Sequence, residues 1–263
     1  MRISRGSEYV ALGSSFAAGP GLKPRAPGSP RRAGRSDLNY AHLVASRLGL
    51  RLDDVSFSGA TTGELNGGPE GRLGQIAAVT PTTKLVTITA GGNDVGYLPA
   101  LTFASLPWPV SLSPWLRSRV RQYIDPQATA ERFSAMASSL GAVVRSVRDR
   151  APNARILIVD YLTIIPASPT LDHQLSVLES FRYGDVAAWA RDVSARLSET
   201  FSTVAADEAC SFLDVALQSR DHHAWSSEPW TRRFHPSLRG GAPFHPNYEG
   251  MHSVASMILK SLE

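Results

Sequence analysis

Cysteine is almost lacking: Cys210 stands alone among 263 residues. One thiol cannot close an internal disulfide, so packing must hold the fold and nothing requires an oxidising compartment. Cys210 reads as a small buried apolar residue. Long apolar runs are lacking too. None approaches the ~20 residues of a membrane helix. The opening MRISRGSEYVALG carries positive charge but no long apolar stretch of the kind a secretory leader has. A cytoplasmic location is therefore the expectation, with no integral membrane segment. Metal-ligand spacing is missing as well. His222-His223 has no carboxylate or cysteine at matching distance, so no metal is expected.

The chain carries a formal net charge of +4, and the excess is local. Lys23, Arg25, Arg31, Arg32 and Arg35 lie in the Pro/Gly-rich stretch KPRAPGSPRRAGR. Such a segment buries little surface and reads as a mobile, solvated loop near the mouth of a site. Contact with anionic lipid or nucleic acid is the rival reading. Nucleic acid is not expected, because aromatic interleaving and helical spacing of the cations are absent.

Short apolar runs alternate with longer helical patterns, without internal repeats or a linker between two cores. Tyr9–Gly13, Leu52–Phe57, Lys84–Thr89 and Arg155–Asp160 read as strands. A weaker strand falls at Ser202–Ala205 or at Ser211–Asp214. Leu38–Leu48, Ala128–Arg150, Gly184–Phe201 and about Asn247–Leu262 have helical period. This alternation argues for a parallel sheet of about five strands covered on both faces. In such sheets the working site lies at the carboxyl ends of the strands.

Residues with chemical capability occupy those ends. The first strand runs into Gly13-Ser14-Ser15-Phe16-Ala17-Ala18-Gly19, a turn able to expose a serine hydroxyl. The second leads to Ser58-Gly59-Ala60-Thr61, where glycine lets a backbone N–H approach a substrate. The third ends in Thr89-Ala90-Gly91-Gly92-Asn93-Asp94, whose Asn amide can donate into the same crevice, while Asp94 reads as a structural acceptor for nearby N–H groups. Phe244-His245-Pro246-Asn247 precedes the last helix. His235 sits in a second Phe-His-Pro, assigned to a loop because no helix follows it.

These segments resemble the blocks of the SGNH, or GDSL-like, lipase/esterase family, over the chain from residue 8 to its end. Gly91-Gly92-Asn93-Asp94 matches the family's Gly-x-Asn-Asp unchanged, and Gly59 matches the glycine of its second block. Two positions depart: Ser14 replaces the Asp of Gly-Asp-Ser, and Ala242 replaces the Asp of Asp-x-x-His. The resemblance implies a single three-layer α/β/α domain of flavodoxin-like kind over residues 1–263. It implies Ser15 as nucleophile, His245 as general base, and an oxyanion hole made by the N–H groups of Ser15 and Gly59 with the Asn93 amide. It implies no cofactor or metal.

With no acid at 242, the group orienting His245 is open between two readings. The favoured one is the Ala242 main-chain carbonyl, giving a Ser–His dyad; the other is a relocated acid, Glu228 or Asp221. The segment 97–127, apolar and Pro-broken, reads as a lid or acyl-pocket wall through Phe103, Trp108 and Trp115, with packing over the sheet as the plain alternative. The expected activity is hydrolysis of short- to medium-chain acyl esters, lipids included, through an acyl-serine. Carbohydrate O-deacetylation, acyl transfer and non-catalytic binding on the same scaffold are the alternatives. Nothing in the sequence speaks to oligomeric state.

Overall fold

The computed structural model describes residues 3–67, 74–106, 110, 113–167, 184–235 and 242–263. Five strands form one parallel sheet in the order β2-β1-β3-β4-β5. They are β1 (Glu8–Gly13), β2 (Arg51–Asp54), β3 (Thr83–Thr89), β4 (Arg155–Val159) and β5 (Ser211–Leu213). Central strands lie between two helical layers, so their side chains are buried on both faces. Val10 pairs with Val86 and Leu12 with Ile88, and β4 is apolar from Ile156 to Val159. The edge strand β2, Arg-Leu-Asp-Asp, is only half-covered.

The helices are α1 (Ser15–Ala18), α2 (Tyr40–Leu48), α3 (Thr62–Asn66), α4 (Tyr97–Ala104), α5 (Pro114–Ile124), α6 (Pro126–Arg150), α7 (Gly184–Asp207), α8 (Val215–Gln218) and α9 (Tyr248–Leu262). α9 packs on α2, whereas α6 packs on α3 and α7, giving the α/β/α layering. The buried stripe of α6, Phe133, Met136, Leu140, Val143, Val144 and Val147, has the 3–4 residue spacing of one helix face. Asp125 starts this helix by accepting from the Ala128 N–H at 2.8 Å.

Three expectations change. Ser202–Ala205 is not a strand: α7 runs on to Asp207, with Phe201, Val204 and Ala205 buried on its inner face, and the fifth strand is Ser211–Leu213. The second strand stops at Asp54, because its carboxylate accepts from the Ser56 N–H and hydroxyl and turns the chain. Residues 55–57 still follow β1, since the Phe57 N–H donates to the Gly13 carbonyl at 2.9 Å. Cys210 is half-buried rather than buried, and desolvation pushes its thiol up to about 11.

Candidate active site

β1 delivers Ser15. Gly13 ends the strand at φ +157°, and a Cβ there would lie 2.6 Å from the Thr89 carbonyl oxygen and 2.8 Å from the Ala17 Cβ, so only glycine fits. The Gln75 side chain grips this glycine at both ends. Its Oε1 accepts from the Gly13 N–H at 2.8 Å and its Nε2 donates to the Gly13 carbonyl at 2.9 Å. The chain then turns directly into α1, so Ser15 stands in a first helical turn, where N–H groups lack intrahelical partners.

The last helix delivers the histidine. Asn247 caps α9 by accepting from the Gly250 N–H at 2.9 Å, and His245 sits just before it. His245 Nε2 is 2.7 Å from Ser15 Oγ, and Nδ1 is 2.7 Å from the Pro243 carbonyl oxygen. A carbonyl only accepts, so Nδ1 carries the proton. Nε2 then presents its lone pair, and the serine O–H donates to it.

The orienting group is the Pro243 carbonyl. The Ala242 carbonyl is not: it accepts instead from the His245 backbone N–H at 3.4 Å. The reason is local. Phe244 adopts φ +61°, a left-handed conformation that a bulky side chain rarely takes, and this folds the carbonyl two residues back against the imidazole. Complete burial of the Phe244 ring, flanked by Trp225 and Phe234, holds it there. Neither acid reaches the site. Asp221 is 84 % exposed and pairs with Arg220. Glu228 is exposed too, and its backbone carbonyl faces Nδ1 of His222, whose ring stacks on Trp230 at 3.9 Å.

Burial lowers His245 to about 4; the Pro243 carbonyl bond opposes this shift and the Arg232 charge adds to it. The imidazole is thus neutral, and able to take a proton, over the whole ordinary pH range.

Three candidate oxyanion donors stand on the turns that follow β1, β2 and β3. Gly59 has φ +89° and open space where a side chain would stand. Among the described residues neither its N–H nor that of Ser15 has a hydrogen-bond partner. Asn93 donates one amide hydrogen to the Ala60 carbonyl at 3.0 Å, which fixes the side chain and leaves its second hydrogen free. Asp94 accepts from the Thr62 N–H and hydroxyl, joining α3 to the Asn93 turn.

Tyr161 and Gln75 are absent from the sequence reading. The buried Tyr161 hydroxyl accepts from the Gly92 N–H at 3.0 Å and lies 3.3 Å from Ser14 Oγ, bridging the Asn93 turn and the serine turn. Its ring packs on Phe16 at 4.5 Å, and Phe16 lies 5.4 Å from the His245 ring. No motif spacing announces a residue that arrives from β4.

The 97–127 segment separates into two parts. α4 buries Tyr97, Leu98, Ala100, Leu101 and Ala104 in the core. Phe103, half-buried, meets Trp115 edge-on at 6.3 Å, while Trp115 itself is 63 % exposed and stands on the surface instead of walling an enclosed pocket. Trp108 lies outside the described residues. His235 lies in a loop, and the histidine bonded to Ser15 is His245.

Comparison with known proteins shows the family and the fold. The family described as GDSL-like Lipase/Acylhydrolase matches residues 11–252. "Lipase 2" of Streptomyces coelicolor is 32% identical over 255 residues, covering 94% of this chain and 83% of its own. The extracellular lipase of Streptomyces rimosus superposes with a TM-score of 0.73 at 25% identity, over 98% of this chain and 100% of that one. Phospholipase A1 from Streptomyces albidoflavus NA297 superposes with a TM-score of 0.78 at 22% identity, over the same shares.

Proposed function

The chain belongs to the GDSL-like lipase/acylhydrolase family and is a serine ester hydrolase, and we propose that it works through a Ser15–His245 dyad whose imidazole is held by backbone. The observation that carries this is the line Ser15 Oγ, His245 Nε2, Nδ1, Pro243 O, with both links at 2.7 Å.

An alcohol attacks an ester carbonyl only as its proton leaves. His245 Nε2 takes that proton while Ser15 Oγ bonds to the carbonyl carbon and the C=O electrons move to oxygen. The developing charge meets the N–H groups of Ser15 and Gly59 and the free Asn93 amide hydrogen; each such donor is worth about 2.7–4 kcal/mol of barrier. The imidazolium then protonates the leaving alcohol as its C–O bond breaks, giving an acyl-Ser15. Water then attacks the acyl carbon and gives a proton to the same imidazole; the acyl C–O bond to Ser15 breaks, Oγ takes that proton back, and the carboxylic acid departs. During both steps the Pro243 carbonyl dipole stabilises the imidazolium, the task of a carboxylate in a triad. The apolar helix α4, which follows the Asn93 turn directly, supports an acyl group of short to medium length.

The test is turnover of p-nitrophenyl esters of increasing chain length by the native protein and by Ser15→Ala. The variant should lose at least about a thousandfold in kcat. Equal turnover by the two proteins would sink the assignment.

A further inference from the structure

The sequence marked Lys23–Arg35 as a mobile solvated loop, but the structure pins it to the mouth of the site. Arg25 and Ser36 form an antiparallel bridge, and the Ala26 N–H donates to the Arg35 carbonyl at 3.0 Å. The Arg25 guanidinium donates to the Ser29 carbonyl, and Arg35 Nε to the Ser56 carbonyl at 2.6 Å. The loop, together with the residues that flank it, touches all three parts of the dyad's surroundings. The Ser36 N–H donates to the Ala18 carbonyl at the end of α1. The Ala33 carbonyl accepts from both the N–H and hydroxyl of Ser58, the neighbour of Gly59. The Ala242 N–H, near His245, donates to the Pro20 carbonyl.

Two cations therefore brace the loop and three do not. Lys23, Arg31 and Arg32 are exposed, and among the described residues none of their side chains makes a hydrogen bond or ion pair. The nearest acid in sequence, Asp37, is engaged by His42 at 3.0 Å. The loop's five cations exceed the formal net charge of +4, so the rest of the chain is slightly negative. The stretch from Lys23 to Arg35 thus carries five cations and no acid at one rim. Phe57 projects at the same rim, 38 % exposed, next to the Ser58 that Ala33 holds. Fixed cations beside an outward aromatic ring match a surface that is negatively charged outside and apolar just beneath.

We propose that Lys23, Arg31, Arg32 and Phe57 form a docking surface for anionic lipid, which seats the Ser15 crevice on a phosphate-bearing lipid layer. The ester-hydrolase reading enters only in saying what lies behind the rim. The phosphates of the layer meet the three free cations, the Phe57 ring enters the acyl boundary, and an ester in the layer has a short path to Ser15. Each cation near an anionic surface contributes severalfold to partitioning, so three together give on the order of a hundredfold.

The experiment is vesicle co-sedimentation of the Ser15→Ala protein, which leaves lipid unconsumed. The probes are phosphatidylcholine vesicles with and without phosphatidylglycerol. Expected results are preference for the anionic vesicles, loss of that preference at high salt, and roughly hundredfold weaker binding by Lys23→Gln/Arg31→Gln/Arg32→Gln. Arg31→Lys/Arg32→Lys should bind as the parent does. With Ser15 intact, the triple variant should hydrolyse a soluble neutral p-nitrophenyl ester at the native rate, because those side chains make no bond in the fold. Equal binding to both vesicle types, or full binding by the triple variant, overturns the proposal. Glycerophosphate or an oligonucleotide competing as strongly as anionic vesicles also overturns it, since the loop would then read phosphate as such. Failure of the soluble-ester assay in the native protein would refute the hydrolytic reading alone, leaving vesicle binding to decide this one.

Discussion

Acid titration isolates the group on which the dyad depends. His245 is 9 % exposed and burial lowers it to about 4. At about pH 5.5 an imidazole of ordinary value, near 6.5, would be only about one-tenth neutral, whereas one titrating near 4 stays about 97% neutral. The two cases differ about tenfold in the fraction of enzyme able to accept the Ser15 proton. The assay is kcat/KM for a soluble neutral ester from about pH 4 to about pH 8, because that ratio reports the base in free enzyme. The acid limb should fall near 4. Arg232→Gln removes a neighbouring positive charge and should shift the limb to higher pH. A stability consequence follows with definite sign. The folded value lies below the unfolded one, so the unfolded chain takes up the proton first as pH falls. This contribution is fully present above about 6.5 and is lost between about 6.5 and about 4, amounting to ~3 kcal/mol. Intrinsic fluorescence at each pH separates unfolding from inhibition. An acid limb near 6.5 in folded protein would refute the argument, since the imidazole would then be solvated or paired with an acid.

The orienting carbonyl implies that Glu228→Gln and Asp221→Asn each keep kcat within about twofold, as exposed polar changes far from a site do; loss of most activity in either folded variant would restore a relocated acid. Tyr161→Phe leaves the buried Gly92 N–H unpaired, which should cost about 1–3 kcal/mol of stability and about tenfold in kcat with little change in KM; an equal rise in KM would point to a substrate contact instead. Asp160, buried at the end of β4, is held by the Tyr161 N–H and the Ser198 hydroxyl, and desolvation raises it to about 7. Its folded value lies above the unfolded one, so stability is greatest below about pH 4 and falls as pH rises to about 7, by roughly 4 kcal/mol. Asp160→Asn should therefore raise Tm at alkaline pH and change it little near pH 4, and equal shifts at both would contradict the assignment.

Much of the site was written in the chain. Strand–helix alternation carried the parallel sheet, because a strand buried on both faces must be a continuous apolar run such as Ile156–Val159. Gly13, Ser15, Gly59, Asn93 and His245 follow strand ends or precede the last helix, where the topology brings them together. Helix α7 was read too short because Ser202-Thr203-Val204 has strand-like composition, and burial of Val204 against the core outweighed it. The absence of an acid at 242 was equally legible, since a carboxylate is a side chain and side chains are what a sequence records.

Tertiary structure decided the remainder. Every residue carries a carbonyl, so composition cannot say which one meets an imidazole; Phe244 at φ +61°, held by buried aromatic packing, selected Pro243. Tyr161 and Gln75 brace the serine and Asn93 turns from far along the chain, with 69 and 62 positions separating them from Gly92 and Gly13. The loop from Lys23 to Arg35 looked unstructured because it has almost nothing to bury. Its order comes from the backbone hydrogen bonds of Ser36 to Ala18 and of Ser58 to Ala33 and from the Arg35 side chain on the Ser56 carbonyl, contacts that the folded chain alone provides.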